Sequence, residues 1–338
     1  MDEKWQLLLV IVEEHKKTPR YSEIKHWTSK SDTMKVLVID SGLEFQRVIP
    51  LSHKVLIALN EVNTKYITIV DESHIPVFEG LNKLVANLVA TENLTAIRGE
   101  VSTQDNFKKN QTLNEKNKVF PLGEGIAEFG LSSFLAVGTV YETSALKQKV
   151  IMSRLKNQIR AHMNNPWVYI NLLMAANYNT ALAPDVVAFK REIKKTNIDK
   201  MTEYFSWRSF GQRCDQLIAL RNAIYEAFID KKNQTESGVF DTSGFYNAYR
   251  KLCYRILNEM LVSNGKVYFE QMMSQELIGR SFAMFSAGSV QDYPNFKIFK
   301  DGLIQNIMSD LDALLKVINT NKFEKKNGLS LNFYSSSV

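Results

Sequence analysis

The sequence predicts a mainly α-helical protein with a minor β component near its N-terminus, organised as two subdomains. Three observations carry this expectation. From Gly123 almost to the end, apolar residues recur at helical spacing. Within the first 100 residues two short β-branched runs stand apart, MKVLVID (34–40) and KYITIVD (65–71), each bounded by Ser, Asp or Asn. A length of 338 residues is also more than one ordinary core organises. The composition, 45 % apolar and 23 % charged, is that of a globular chain and excludes a disordered one.

Near the start, the apolar run WQLLLVIV is only eight residues long and meets Glu13 and Glu14, so it is too short for a membrane span. The chain opens on Asp2 and Glu3 where a signal peptide needs cations. Helical patterns follow at 51–62 and 77–90, the second carrying Val77, Leu81, Leu84, Val85 and Leu88 at three- and four-residue intervals. The polar stretch STQDNFKKNQTLNEKNK, 102–118, predicts an exposed loop. Beyond it the periodicity predicts helices over roughly 124–141, 143–164, 167–177, 185–196, 210–231, 241–263, 268–287 and 301–320. Pro166, Pro184 and Pro294 fall between these segments, where helix starts tolerate them. No longer repeat recurs, which excludes a solenoid. The terminal stretch 321–338 carries Leu329, Leu331, Phe333 and Tyr334, too few to form a core, and is either a docking arm or a frayed tail.

Charge is unevenly spread. Residues 1–150 hold 18 Lys and Arg against 19 Asp and Glu, a net of −1, so the rest of the chain carries +7 of the overall +6. Twelve cations and four acids lie between Ala145 and Arg213, which implies either a polyanionic partner, nucleic acid first, or a solvated helical surface. On a helical wheel of about 100° per residue, Ile151, Met152, Leu155, Ile159 and Met163 share one arc. Lys149, Lys156 and Arg160 border that arc on one side and Lys147 and Arg154 on the other. No acid appears between Glu142 and Asp185 to pair with them, as a solvated helix would usually arrange. YFSWRSFGQR (204–213) adds Tyr204, Arg208 and Arg213 to these candidates, joined by Lys190, Arg191, Lys194 and Lys195, since aromatics and cations together suit bases and phosphates. Tyr249, Arg250, Lys251 and Arg255 follow the same logic, although most aromatics in helical proteins are core.

Catalytic chemistry is hard to find. The five histidines lack metal-ligand spacing, and neither a phosphate loop nor a nucleophile elbow is present. GEGIAEFG (123–130) lacks dinucleotide spacing, and PDVVAFKREIKK, with an Asp and a downstream Lys of faintly nuclease-like order, has a helical pattern. Cys214 and Cys253 show neither metal nor disulfide spacing, which fits a reducing interior. The expectation is therefore no catalysis, no metal and no cofactor.

Gly123 to Phe210 resembles the central region of nucleoproteins of non-segmented negative-strand RNA viruses, of the bornavirus and nyamivirus type. LSSFLAVGTV, KQKVIMSRLKNQI, NNPWVYINLLMAA and VVAFKREIKKTNIDKMTEYFSW carry the likeness, with ELIGRSFAMFSAGSVQDYPNFKIF further on. The resemblance implies two helical lobes, 21–205 and 206–320, with a basic groove between them. It also implies an N-terminal arm (1–20) and a C-terminal arm (321–338) that exchange between protomers. Phosphate contacts would fall on Lys147, Lys149, Arg154, Lys156 and Arg160, and on Arg280. The implied function is sequence-independent encapsidation of single-stranded genomic RNA by a homo-oligomer. Viral phosphoprotein and polymerase would be further partners, and the location a virion nucleocapsid and the host cytoplasm or nucleus. Two alternatives stay open: a cytosolic helical module binding an acidic protein, and a metal-dependent enzyme acting on nucleic acid.

Overall fold

The structure is a computed structural model, and it describes residues 7–13, 34–40, 59–71, 74–102, 116–132, 137–159, 166–190 and 210–270, with residue 305. Eight strands and six helices span these residues. The strands are β1 (Leu7–Glu13), β2 (Met34–Asp40), β3 (Tyr66–Asp71), β4 (His74–Pro76), β5 (Leu94–Ser102), β6 (Lys118–Phe120), β7 (Thr139–Glu142) and β8 (Asn179–Lys190). The helices are α1 (Phe78–Ala90), α2 (Thr143–Leu146), α3 (Lys149–Ile159), α4 (Pro166–Asn177), α5 (Phe210–Gln234) and α6 (Thr242–Glu270).

All eight strands join one sheet in the order β2-β1-β3-β7-β5-β8-β4, with β6 also paired to β8. β1 is parallel to both β2 and β3, and β5 is parallel to β8. β7 runs antiparallel between β3 and β5, and β4 and β6 run antiparallel to β8. The expected mainly helical, two-lobe class thus gives way to a mixed α/β architecture. The chain divides into two compact units, Met1–Lys195 with Ala219–Ala248, and Thr196–Ile218 with Tyr249–Val338. The sheet belongs to the first.

Two corrections concern runs that parallel pairing places in the sheet. WQLLLVIV, assigned to an N-terminal arm, supplies β1 between two parallel neighbours. PDVVAFKREIKK, expected to be helical, supplies the end of β8. A parallel strand covered on both faces loses the apolar and polar alternation that marks a strand in sequence, so such runs look like buried helix. A further correction is 124–141: residues 122–132 form turns around Gly123 at φ of 78°, and Gly138 at φ of 108° directly precedes β7. The predicted 143–164 helix divides into α2 and α3, and the two end residues of the expected loop, Ser102 and Lys118, belong to β5 and β6. By contrast β2, β3, α1, α4, α5 and α6 stand where the patterns place them. Of the remaining expectations, most of 51–62, the 103–115 part of the loop, 271–287, 301–320 except residue 305, and the arm 321–338 lie outside the described residues.

The core forms where α1 lies on the sheet. Its buried positions Gly80, Leu81, Leu84, Val85 and Leu88 follow the helical spacing, and they pack with Val70, Leu94, Ile97, Val140, Ala181 and Val187. Burying each such Leu or Val contributes about 1.5–3 kcal/mol. Val77 offers no side-chain cap, but its amide donates to the Val187 carbonyl at 2.8 Å, and Glu79 in the first turn suits the positive end of the helix. Gly80 makes the close approach possible, because a Cβ there would stand 2.0 Å from the Val186 carbonyl oxygen. Gly80→Ala is therefore expected to destabilise the protein by about 2–3 kcal/mol through overpacking, measured as a lowered urea midpoint at unchanged slope. An unchanged midpoint would mean that α1 can lift off β8 without loss.

α4 is unlike α1. Every residue from Trp167 to Ala176 is buried, so the helix is apolar on all sides and sits inside the unit. Its one fully buried amide, Asn171, accepts a hydrogen bond from the Tyr141 hydroxyl at 2.6 Å. Burial pushes that phenol up to about 12.

Candidate active site

β1, β2 and β3 each consist of an apolar run closed by a carboxylate: LLLVIVE, MKVLVID and YITIVD. The sheet brings these endings together. Parallel pairing sets Glu13 opposite Asp40 and Val12 opposite Asp71, so three acids from three adjacent strands share the carboxyl edge of the sheet. Neighbouring strands lie about 4.8 Å apart. The chain leaves β1 towards β2 on one side and returns to β3 on the other, which makes a topological switch point at the ends of β1 and β3. In open α/β sheets, ligands bind outside the carboxyl ends of the strands at such a point, where the connections diverge and leave a crevice. Among the described residues no ready-made group of three or more metal-ligating side chains occurs.

None of these three acids was singled out by the sequence patterns. A usable sign was present, an acid at the end of each apolar run, but only the parallel register makes neighbours of residues 13, 40 and 71.

The cations that the sequence did single out behave differently. Lys149 and Lys156 are exposed on α3, and Lys147, just before it, donates from Nζ to the Val62 carbonyl. Arg154 is turned inward to α5. Its Nη2 lies 2.5 Å from Asp230 Oδ1, and its Nη1 is 3.2 Å from the Glu226 carbonyl and 3.9 Å from Glu226 Oε2. Asn177 donates to Asp230 Oδ2 at 3.1 Å, and the Tyr169 hydroxyl donates to Glu226 Oε2. Burial, then the Glu226 hydrogen bond, raise the Tyr169 phenol well above its usual range. The acids missing from the neighbourhood of α3 in sequence are thus supplied by α5. Lys190 is exposed at the end of β8, opposite His74, and Arg213 lies in the first turn of α5. Arg160, Arg191, Lys194, Lys195, Tyr204, Arg208 and Arg280 fall outside the described residues. Tyr249 is buried, as core aromatics are.

No family model and no curated protein matches the sequence. Solved structures do. Residues 1–349 of TarS from S. aureus align over 98 % of this chain and 94 % of that one, with a TM-score of 0.51 at 9 % identity. The same segment in complex with UDP gives 0.51 at 12 % identity, again over 98 % and 94 %. A longer TarS structure gives 0.53 at 10 % identity over 90 % of this chain, which spans only 54 % of that protein. These neighbours are glycosyltransferases of the GT-A fold. At such identities the likeness establishes the fold, and that fold overturns the resemblance to viral nucleoproteins. With it go RNA encapsidation, the single-stranded RNA and viral partners, and the expectation of a protein without catalysis. The fold gives no support to an enzyme acting on nucleic acid. No helix among the described residues is long and apolar enough to cross a membrane.

Proposed function

We propose that this chain is a glycosyltransferase that uses a nucleotide sugar, with the donor nucleotide seated at the carboxyl ends of β1, β2 and β3. The observation that carries this reading is the switch point edged by Glu13, Asp40 and Asp71, on a fold shared with a protein whose structure holds UDP. A carboxylate at the end of the second parallel strand suits hydrogen-bond donation from ribose hydroxyls, which assigns that role to Asp40. A nucleoside diphosphate is an anion, and carboxylates beside it repel it unless a cation intervenes. Carboxylate oxygen is what a hard divalent cation takes, and magnesium needs only one or two such ligands because phosphates and water complete its shell. Asp71, at the end of β3, is the residue that would hold it. When bound, the cation supplies neutralisation of the charge that collects on the departing diphosphate. The residues of the chain then bind the nucleoside, fix the sugar's orientation and keep water from the anomeric carbon.

Titration of the full chain with UDP tests this, in the presence and absence of magnesium, with GDP and ADP as comparisons. Saturable binding that is lost with chelator is expected. Absence of binding to all three diphosphates, with or without metal, would remove the proposal.

A further inference from the structure

Resting on that reading, we infer that Arg98 is a positioning residue for the donor site, acting through the entry to β7. Arg98 lies mid-strand on β5 and is 6 % exposed. Its Nη1 donates to Thr139 Oγ1 at 3.0 Å and its Nη2 to the Val137 carbonyl at 3.0 Å. One planar guanidinium therefore grips the two residues that flank Gly138. Gly138 has φ of 108°, and a Cβ there would stand 3.1 Å from Arg98 Nη2 and 3.1 Å from Val101 Cγ2. Glycine and guanidinium occupy one fitted space.

The same short segment is tied on both flanks. Gly99 donates its amide to the Gly138 carbonyl at 2.8 Å from the β5 side, and Thr68 Oγ1 donates to the Thr139 carbonyl at 2.7 Å from the β3 side. Tyr66 pairs with Glu142 and Thr68 with Val140. From that last rung β3 runs on to its end at Asp71, while β7 begins one residue earlier, at Thr139, directly after Gly138. Arg98 thus fixes a carbonyl at the entry to β7, the strand that pairs with β3, and β3 ends on Asp71 of the proposed donor site. Taking a guanidinium out of water is expensive, and well-packed apolar groups often stabilise as well or better, so fold stability is a poor account of its placement. Holding two acceptors in one plane is what an arginine fork does and a lysine ammonium does not.

The test uses the full-length protein, UDP with magnesium, and three variants: Arg98→Lys, Arg98→Met and Thr139→Val. Wild type binding UDP is the control for the donor reading. UDP affinity is expected to fall about tenfold in Arg98→Lys and further in Arg98→Met. Thr139→Val, which removes one acceptor and leaves the charge, should weaken binding in the same direction. The double variant Arg98→Lys/Thr139→Val should weaken it by less than the product of the two. In the transfer reaction the loss appears in the donor KM, with the acceptor KM unchanged. A residue that only supports the fold would lower the melting temperature and the active fraction while leaving the UDP affinity of the folded protein alone. That outcome in Arg98→Lys and Thr139→Val overturns the inference, and both variants are mild enough to test it if Arg98→Met does not fold. A wild type that ignores UDP fells the donor reading and this inference with it, whereas a binding wild type with unaffected variants fells the inference alone.

Discussion

Asp71→Asn is expected to lower sugar transfer by about 10²–10³-fold and to abolish the magnesium-dependent part of UDP binding. The amide matches the carboxylate in size, so β3 keeps its pairing with β1 and β7. What disappears is the negative charge at the carboxyl end of the central parallel strands, and a neutral amide is a poor ligand for a hard cation. The diphosphate then departs without neutralisation of its charge. Glu124→Gln is the matched control, since Glu124 is an exposed carboxylate in the turn after β6 and away from that edge. It should behave as wild type. Equal activity of Asp71→Asn and Glu124→Gln in a donor-turnover assay would disprove the placement of the site at β3.

Asp230→Ala should be the most damaging surface-distant substitution among the ion pairs described, at about 3 kcal/mol. The Asp230 side chain is 8 % exposed and that of Arg154 24 %, so removing the acid strands a guanidinium that is largely out of water. Glu226 Oε2, at 3.9 Å, is too far to replace the lost hydrogen bond. Asn177 loses an acceptor at the same stroke. Asp230→Asn keeps the shape and should cost less. Replacing both partners by apolar residues, as in Arg154→Met with Asp230→Leu, should recover much of the loss. Lys149→Ala and Lys156→Ala, on the exposed face of the same helix, should stay within about 0.5 kcal/mol of wild type. Urea unfolding followed by circular dichroism separates these cases. A loss in Asp230→Ala no larger than in Lys156→Ala would mean that the cluster is solvated and contributes nothing.

How much of this could be read in advance differs from element to element. α1 was legible because one face meets the sheet and the other meets water, so Leu81, Leu84, Val85 and Leu88 keep a helical period. β2 and β3 were legible as short β-branched runs with polar ends. β8 was not, because Val187 and Ala188 are buried in succession and erase the alternation on which a strand assignment depends. Arg154 misled for a different reason. Its missing acid was sought within the local sequence, and the partner lies 76 residues away on α5.

By itself, the amino-acid sequence determined the globular character of the chain, the helical periods of α1, α5 and α6, and the charge imbalance between its halves, because composition and local period need no partner. Only the tertiary structure decided what those pieces mean. Parallel pairing carries Glu13, Asp40 and Asp71 from separate stretches of chain to one edge, and antiparallel pairing sets Val137 within the grip of Arg98. Strand register is a long-range choice settled by which faces find cover, and a local window of residues holds no trace of it.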